Sequence, residues 1–351
     1  MHPYSQLPSQ HFWKRFVSDS PWRELPLGGP VKFRLQADSK IATAGSCFAQ
    51  HIARYLNKAG LSTYVAETAH PLMKEFGGEV DSYRLFSARY GNIYTARQCM
   101  ELFKQAFGLM PMIEDFAEQD GRVYDLLRPN AIPNGFADLH EARSDRAYHL
   151  ACVRKMFETA DAFIFTLGLT ECWYHAEQGH TYPVCPGTAR GAYDVQKHLF
   201  RNFTYPEVAA DLEGLVIGLR EVNPALKIIF TVSPVPLVAT YTANDVLVAS
   251  SYSKSVLRAV CGEIETRYNQ VQYFPSYEIV SHVASFGQYL ASDLREVTER
   301  GVAHVMSRFF ATFLNEATLK RSTVPEPEES AISVRNLFDV ECEEIFNEVI
   351  R

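Results

Sequence analysis

The stretch KIATAGSCFAQHIARYLNKA, residues 40–59, decides how the rest of the chain is read. A short apolar run, Ile41 to Ala44, closes in Gly45-Ser46-Cys47-Phe48-Ala49, and helical spacing follows through Ile52, Tyr55 and Leu56. An extended run that changes to helical period across a glycine is a strand-to-helix elbow. The start of such a helix offers backbone N–H groups without intrahelical partners and the positive end of the dipole. Both stabilise a thiolate, an alkoxide or an oxyanion. Two nucleophile-capable side chains, Ser46 and Cys47, stand at the switch, so this turn is the expected reaction centre.

Beyond the elbow, Leu61 to Ala66 reads as a second short strand, and residues 70–95 are loop-rich, with Tyr90-Gly91-Asn92-Ile93-Tyr94 near their end. A helix is expected from about Thr95 to Phe107. Residues 110–140 are polar and rich in turn formers (Pro129, Pro133, Asn134, Gly135) and read as an excursion over one face. A regular alternation follows. Helix 143–160 leads to strand 162–167, helix 207–222 stops at Asn223-Pro224 before strand 226–232, helix 253–269 leads to strand 271–274, and helix 298–314 closes the domain. Apolar strands alternating with amphipathic helices predict an α/β fold, a parallel sheet covered on both faces. Ligands of such sheets sit beyond the carboxyl ends of the strands, where the turns at 45–49 and 168–171 both fall.

Length and composition narrow the class. The 351 residues are 47% hydrophobic, enough for a sizeable core, and a net charge of −7 without a dense Lys/Arg run argues against a nucleic-acid surface. No segment reaches the ~18 consecutive apolar residues of a membrane span, and the N-terminal MHPYSQLPSQHFWKRF has no apolar signal region; a cytoplasmic protein is expected. Seven scattered cysteines fit reduced thiols. Residues 1–35, with Phe12, Trp13, Phe16 and Trp22, read as an arm packed over a domain of residues 36–321. Residues 322–351 form an acidic linker, STVPEPEESA at 322–331, and a helix at 336–350 that docks on its own domain or on a partner.

The residues Gly45-Ser46-Cys47-Phe48-Ala49 spell the signature of the GSCFA family, which is related to the SGNH (GDSL-like) esterases and acyltransferases. TLGLTECW at 166–173, TVSPVPL at 231–237, YSKSVLRAV at 252–260 and YFPSYEIV at 273–280 resemble further family blocks in the same order, so the resemblance covers roughly residues 36–315. It implies a three-layer α/β/α, flavodoxin-like sheet and acyl transfer or ester hydrolysis on O-acyl groups, above all O-acetyl groups of a carbohydrate or polysaccharide precursor. No cofactor or metal is implied, although acyl-CoA is a conceivable donor for a thiol nucleophile.

Laid on the Gly-Asp-Ser block of SGNH enzymes, Gly45-Ser46-Cys47 puts Cys47 at the nucleophile. A thiol at a helix N-terminus ionises more readily than a serine, which needs a strong partner base. The open alternative is a serine nucleophile at Ser46 with Cys47 packed behind it. Gly91 matches the glycine that donates to the oxyanion hole, with Asn92 as an added donor. Gly168-Leu169-Thr170 matches Gly-x-Asn, with Thr170 in place of the amide and Glu171 next to it, in a catalytic or a turn-capping role. The last block departs from the pattern: Asp293-x-x-Glu296 has a glutamate where SGNH enzymes have histidine. The missing base is sought in Glu296 itself, in His198, or in His282 and His304; Lys254 is an anion anchor or a solvated helix residue. Cys172, His175, His180 and Cys185 have a metal-like composition at the wrong spacing, and a hairpin about Gln178-Gly179 is the better reading. The rival class is a non-catalytic carbohydrate-binding or assembly protein that lost its histidine.

Overall fold

The computed structural model describes residues 2–61, 63–69, 83 and 85–315. In chain order its elements are β1 (Ile41–Gly45), α1 (Cys47–Lys58), α2 (Ala96–Ala106), β2 (Phe116–Gln119), β3 (Arg122–Asp125), α3 (Leu139–Thr159), β4 (Ala162–Leu167), β5 (Glu171–His175), β6 (Thr181–Tyr182), β7 (His198–Asn202), α4 (Tyr205–Val222), β8 (Lys227–Val232), α5 (Val246–Arg267), β9 (Val271–Phe274), α6 (Ser276–Ser281) and α7 (Glu299–Phe313). The predicted linker at 322–331 and helix at 336–350 lie outside the described residues.

The central sheet has the order β1-β4-β8-β9, with every neighbouring pair parallel. Its strands send alternate side chains to opposite faces. Ala42, Ala44, Phe163, Phe165, Ile228 and Phe230 pack with α2, α3, α4 and α5. Ile41, Ile164, Ile229 and Phe274 pack with α1, α6 and α7. Both faces are dry, which gives the three-layer α/β/α arrangement and explains why the strands read as continuous apolar runs.

The strand expected at 61–66 reduces to one parallel bridge, Thr63 opposite Ile41, with the Tyr64 N–H donating to the Ile41 carbonyl at 2.8 Å. That bridge lies on the outer side of β1, and β4 lies on the other. The chain therefore leaves β1 in one direction and returns in the opposite one, and the crevice at the ends of β1 and β4 is a topological switch point.

Two smaller sheets were not fully foreseen. The 110–140 excursion contains the hairpin β2–β3, closed by Asp120 and Gly121, both at positive φ as a type I′ turn requires. β5 and β6 form the hairpin expected about Gln178-Gly179, but β7 also pairs along the other edge of β5, where the sequence reads only an approach to a helix. The N-terminal arm is tied down: the Trp22 indole donates to the Ile279 carbonyl at 3.2 Å, Leu35 is fully buried, and its N–H donates to the Phe313 carbonyl at 2.7 Å.

Gly45 is a point of close backbone approach. It pairs with Thr166 and has a φ of 142°; a Cβ there would stand 2.4 Å from the Thr166 carbonyl oxygen, a backbone atom that cannot move aside. Gly45→Ala is expected to destabilise the protein by about 3 kcal/mol or more, read as a lowered midpoint in urea unfolding with an unchanged slope.

Candidate active site

A cavity of about 470 Å³ opens at the carboxyl ends of β1 and β4. Ser46, Cys47 and Gln50 of the elbow reach it, together with Gly91, Asn92, Gly168, Glu171, Arg295 and the segment from Val235 to Tyr241. The elbow is fixed from below, since the Ser46 N–H donates to the Thr166 carbonyl at 3.1 Å and the Ile93 N–H to the Gly45 carbonyl at 2.9 Å. The second bond draws the Gly91–Tyr94 segment over the end of β1.

The two candidate nucleophiles are placed differently. Ser46 is the N-cap of α1, only 3% exposed, and its buried hydroxyl has no hydrogen-bond partner. Cys47 is the first helical residue and is half-buried against the cavity. Among the described cysteines, all free thiols, Cys99, Cys152, Cys172 and Cys261 are buried.

Lys254 decides the electrostatics. It stands on α5, 3% exposed, behind the cavity wall, and its Nζ donates to the Gly168 carbonyl at 2.6 Å. Burial pushes its pKa down to about 7; the Cys47 thiolate works in the opposite direction, and the Arg295 guanidinium lowers it further. A neutral amine that spends one N–H on Gly168 keeps a lone pair for a proton. The preceding residue, Ser253, accepts a hydrogen bond from the Thr170 N–H at 3.0 Å. Adjacent residues of one helix thus hold both ends of the 168–170 turn.

Other expected site residues divide sharply. Gly91, at a φ of 68°, lines the cavity, as does Asn92, whose amide donates to the Tyr94 hydroxyl at 3.1 Å and accepts from Gln50 at 3.4 Å. Glu171 also faces the cavity, but its carboxylate is engaged by the Thr240 hydroxyl at 2.7 Å and the Tyr241 N–H at 3.2 Å. Thr170 does not replace the expected amide. It is fully buried and outside the cavity lining, and its hydroxyl donates to Asn202 at 2.6 Å.

The histidine-replacing candidates lie elsewhere. Asp293 and Glu296 are exposed and do not line the cavity; Asp293 instead accepts the N–H groups of Arg295 (3.0 Å) and Glu296 (3.1 Å), closing a turn that presents Arg295. His198 pairs with His175 in the small sheet and accepts the Asp194 N–H at 3.0 Å. His282 lies between Trp13 and Trp22, and His304 lies against Tyr289. Arg295 is a site residue that the sequence reading passed over inside the very block it examined.

The elbow, the 168–171 turn and the stretch of α5 that carries Lys254 fall within the GSCFA family model, which matches residues 40–309. The chain belongs to the GSCFA family. In GSCFA terms the signature residues Gly45 to Ala49 are the strand end, the N-cap and the first turn of α1. No curated protein matches the chain. Among the described residues no helix is long and apolar enough to cross a membrane.

Exposure and environment rank the thiols. Burial pushes Cys185, half-buried on the same cavity, up to about 11, and Cys172 up to about 12. Brief iodoacetamide treatment of the native protein is expected to label Cys47 first, Cys185 at least tenfold more slowly and Cys99 and Cys261 not at all, read by peptide mass spectrometry.

Proposed function

We propose that this GSCFA protein is an acyl-transfer enzyme, an esterase or O-acyltransferase, that works through a thioester on Cys47. The observation that carries the reading is the buried Lys254 amine, held on Gly168 and electrostatically coupled to Cys47, a half-buried cysteine at the N-terminus of α1 that opens on a cavity at the switch point. Lys254 takes the place of the histidine that Asp293-x-x-Glu296 lacks.

The steps follow from these positions. The Cys47 thiol gives its proton to the neutral Lys254 amine, leaving a thiolate beside an ammonium. The thiolate forms a bond to the acyl carbonyl carbon, and the carbonyl electron pair moves to oxygen, where the N–H groups at the start of α1 and at Gly91 receive it. Collapse of this intermediate breaks the bond to the leaving oxygen or sulfur, which takes a proton from water. Water or an acceptor hydroxyl then attacks the thioester and loses its proton to solvent, and the thiolate is regenerated. Acyl-CoA remains a candidate donor, because exchange between thioesters is nearly isoenergetic.

For the alcohol side of the substrate, a carbohydrate is supported by Trp173 and Tyr241. Their rings face the cavity 4.8 Å apart, and Tyr241 is 65% exposed. Flat rings at the mouth of a site offer a face to a sugar ring.

The reading is tested by intact-mass spectrometry after incubation with p-nitrophenyl acetate. An acetyl adduct is expected in the wild type and in Ser46→Ala, and none in Cys47→Ala; loss only in Ser46→Ala would transfer the role to the serine. No adduct in any folded sample would favour the non-catalytic binding protein.

The pH dependence has a definite sign. The acylation rate of the wild type rises through about pH 7, as Lys254 becomes able to accept the proton. In Lys254→Met that rise moves above about pH 8, to the range of an unassisted thiol, and the rate at pH 7 falls by about tenfold to a hundredfold. Stopped-flow release of p-nitrophenolate measures both.

A further inference from the structure

The cavity is larger than an acetyl group needs and has the wrong walls for one. A methyl group fills about one water-sized place, ~30 Å³, and would leave most of the roughly 470 Å³ to water against carbon. The walls beyond Cys47 come from buried Phe86, Ala88 and Leu237 and from Val184 and Val238.

Three charged groups on these walls are already held, while the buried Ser46 hydroxyl and the Arg128 Nη1 have no partner. Glu171 is held by Thr240 and Tyr241, Arg89 by Glu67 and Asp145, and Arg128 by Asp125 and Asp145. A sugar placed deep in the cavity would lose water from each hydroxyl and find few partners, at a cost for every one. An alkyl chain loses nothing there and gains with each methylene removed from water.

We propose that the cavity is an acyl-chain site: the group carried on Cys47 is an extended apolar acyl chain of roughly six to ten carbons, its carbonyl at the elbow and its tail between Phe86, Ala88 and Leu237. This rests on the reading of Cys47 as the acyl acceptor and replaces acetyl by a longer group. In the loading step the Cys47 sulfur bonds to the acyl carbon as the acyl–oxygen bond breaks. The thiol proton stays on Lys254; p-nitrophenolate departs as the anion, and an alkoxide takes a proton from water to depart as the alcohol.

The test is a chain-length series of p-nitrophenyl esters, acetate, butyrate, hexanoate and octanoate, used below their aggregation concentrations. Each Cys47 acylation rate, followed by intact mass, is divided by the rate of the same ester with N-acetylcysteine. The normalised rate is expected to climb on the order of tenfold or more from acetate to octanoate. Ala239 is a half-buried loop residue on the cavity; Ala239→Trp, checked for folding by its thermal melt, is expected to cut the octanoate-to-acetate ratio at least tenfold by occupying the chain's space. A normalised rate that is flat or falls with length, or a ratio unmoved in Ala239→Trp, overturns the acyl-chain site while the Cys47 adducts leave the catalytic reading standing. Absence of a Cys47 adduct with every ester overturns both.

Discussion

A lysine amine held out of water against the Gly168 carbonyl is the constraint on which the site depends. Through it α5 grips the turn after β4, and Ser253 grips the same turn one residue earlier on the helix. That turn abuts the elbow, because the Ser46 N–H bonds to the Thr166 carbonyl and Gly45 leaves no room for a side chain over Thr166. The elbow, the turn and the buried end of α5 are therefore tied together. The arrangement carries a cost. Lys254 has a folded-state pKa near 7, well below that of an exposed lysine, so between about pH 7 and 10 the unfolded chain binds the extra proton. Stability then rises with pH across that window, and at neutral pH the buried amine weakens the fold. A destabilising group at the strand ends is what a catalytic site leads one to expect.

The opposite wall of the cavity rests on buried charge. Glu67 accepts hydrogen bonds from the Arg89 backbone at 2.7 Å, from the Arg89 guanidinium at 2.9 Å and from His149 at 2.6 Å. Arg128 reaches Asp125 and Asp145 at 2.8 Å each, and Arg146 reaches Asp125 at 3.2 Å. Burial and the nearby Arg128 keep His149 near 4, so its ring is neutral and donates. Removing one member would strand a charge in the interior, at a cost of about 3–5 kcal/mol. The network ties the 85–92 segment to the 125–131 turn and α3. The excursion after α2 is thus part of the cavity's frame.

Much of this was legible in the sequence, for physical reasons. The elbow showed because its period changes at a glycine, and the strands Ala162–Leu167 and Lys227–Val232 showed because burial on both faces makes them unbroken apolar runs. Hairpin β2–β3 was hidden: FAEQ and RVYD are short and half-polar, and only Asp120-Gly121 marked the turn. β7 alternates buried and open positions too briefly to stand out from the helix start after it. Helix α5 begins at Val246, seven residues ahead of the expected Ser253, because Asp245 caps it through the Leu247 and Val248 N–H groups. That longer helix buries Lys254, which local sequence left undecided between an anchor and a solvated side chain. The same limit applies to Asp293-x-x-Glu296. Matching letters to a histidine block drew attention to the carboxylates, whereas the turn that Asp293 closes delivers Arg295.

The pairing of Lys254 with Cys47 is the central claim, and lysine-labelled NMR tests it most directly. With 13C at Cε of lysine and Lys254→Arg to assign the signal, Lys254 is predicted to titrate near pH 7. The Cys47 thiolate holds that value up, so in Cys47→Ala the midpoint should fall further. A Lys254 signal titrating near 10.5, the ordinary lysine value, or a midpoint unmoved by loss of Cys47, would contradict the account.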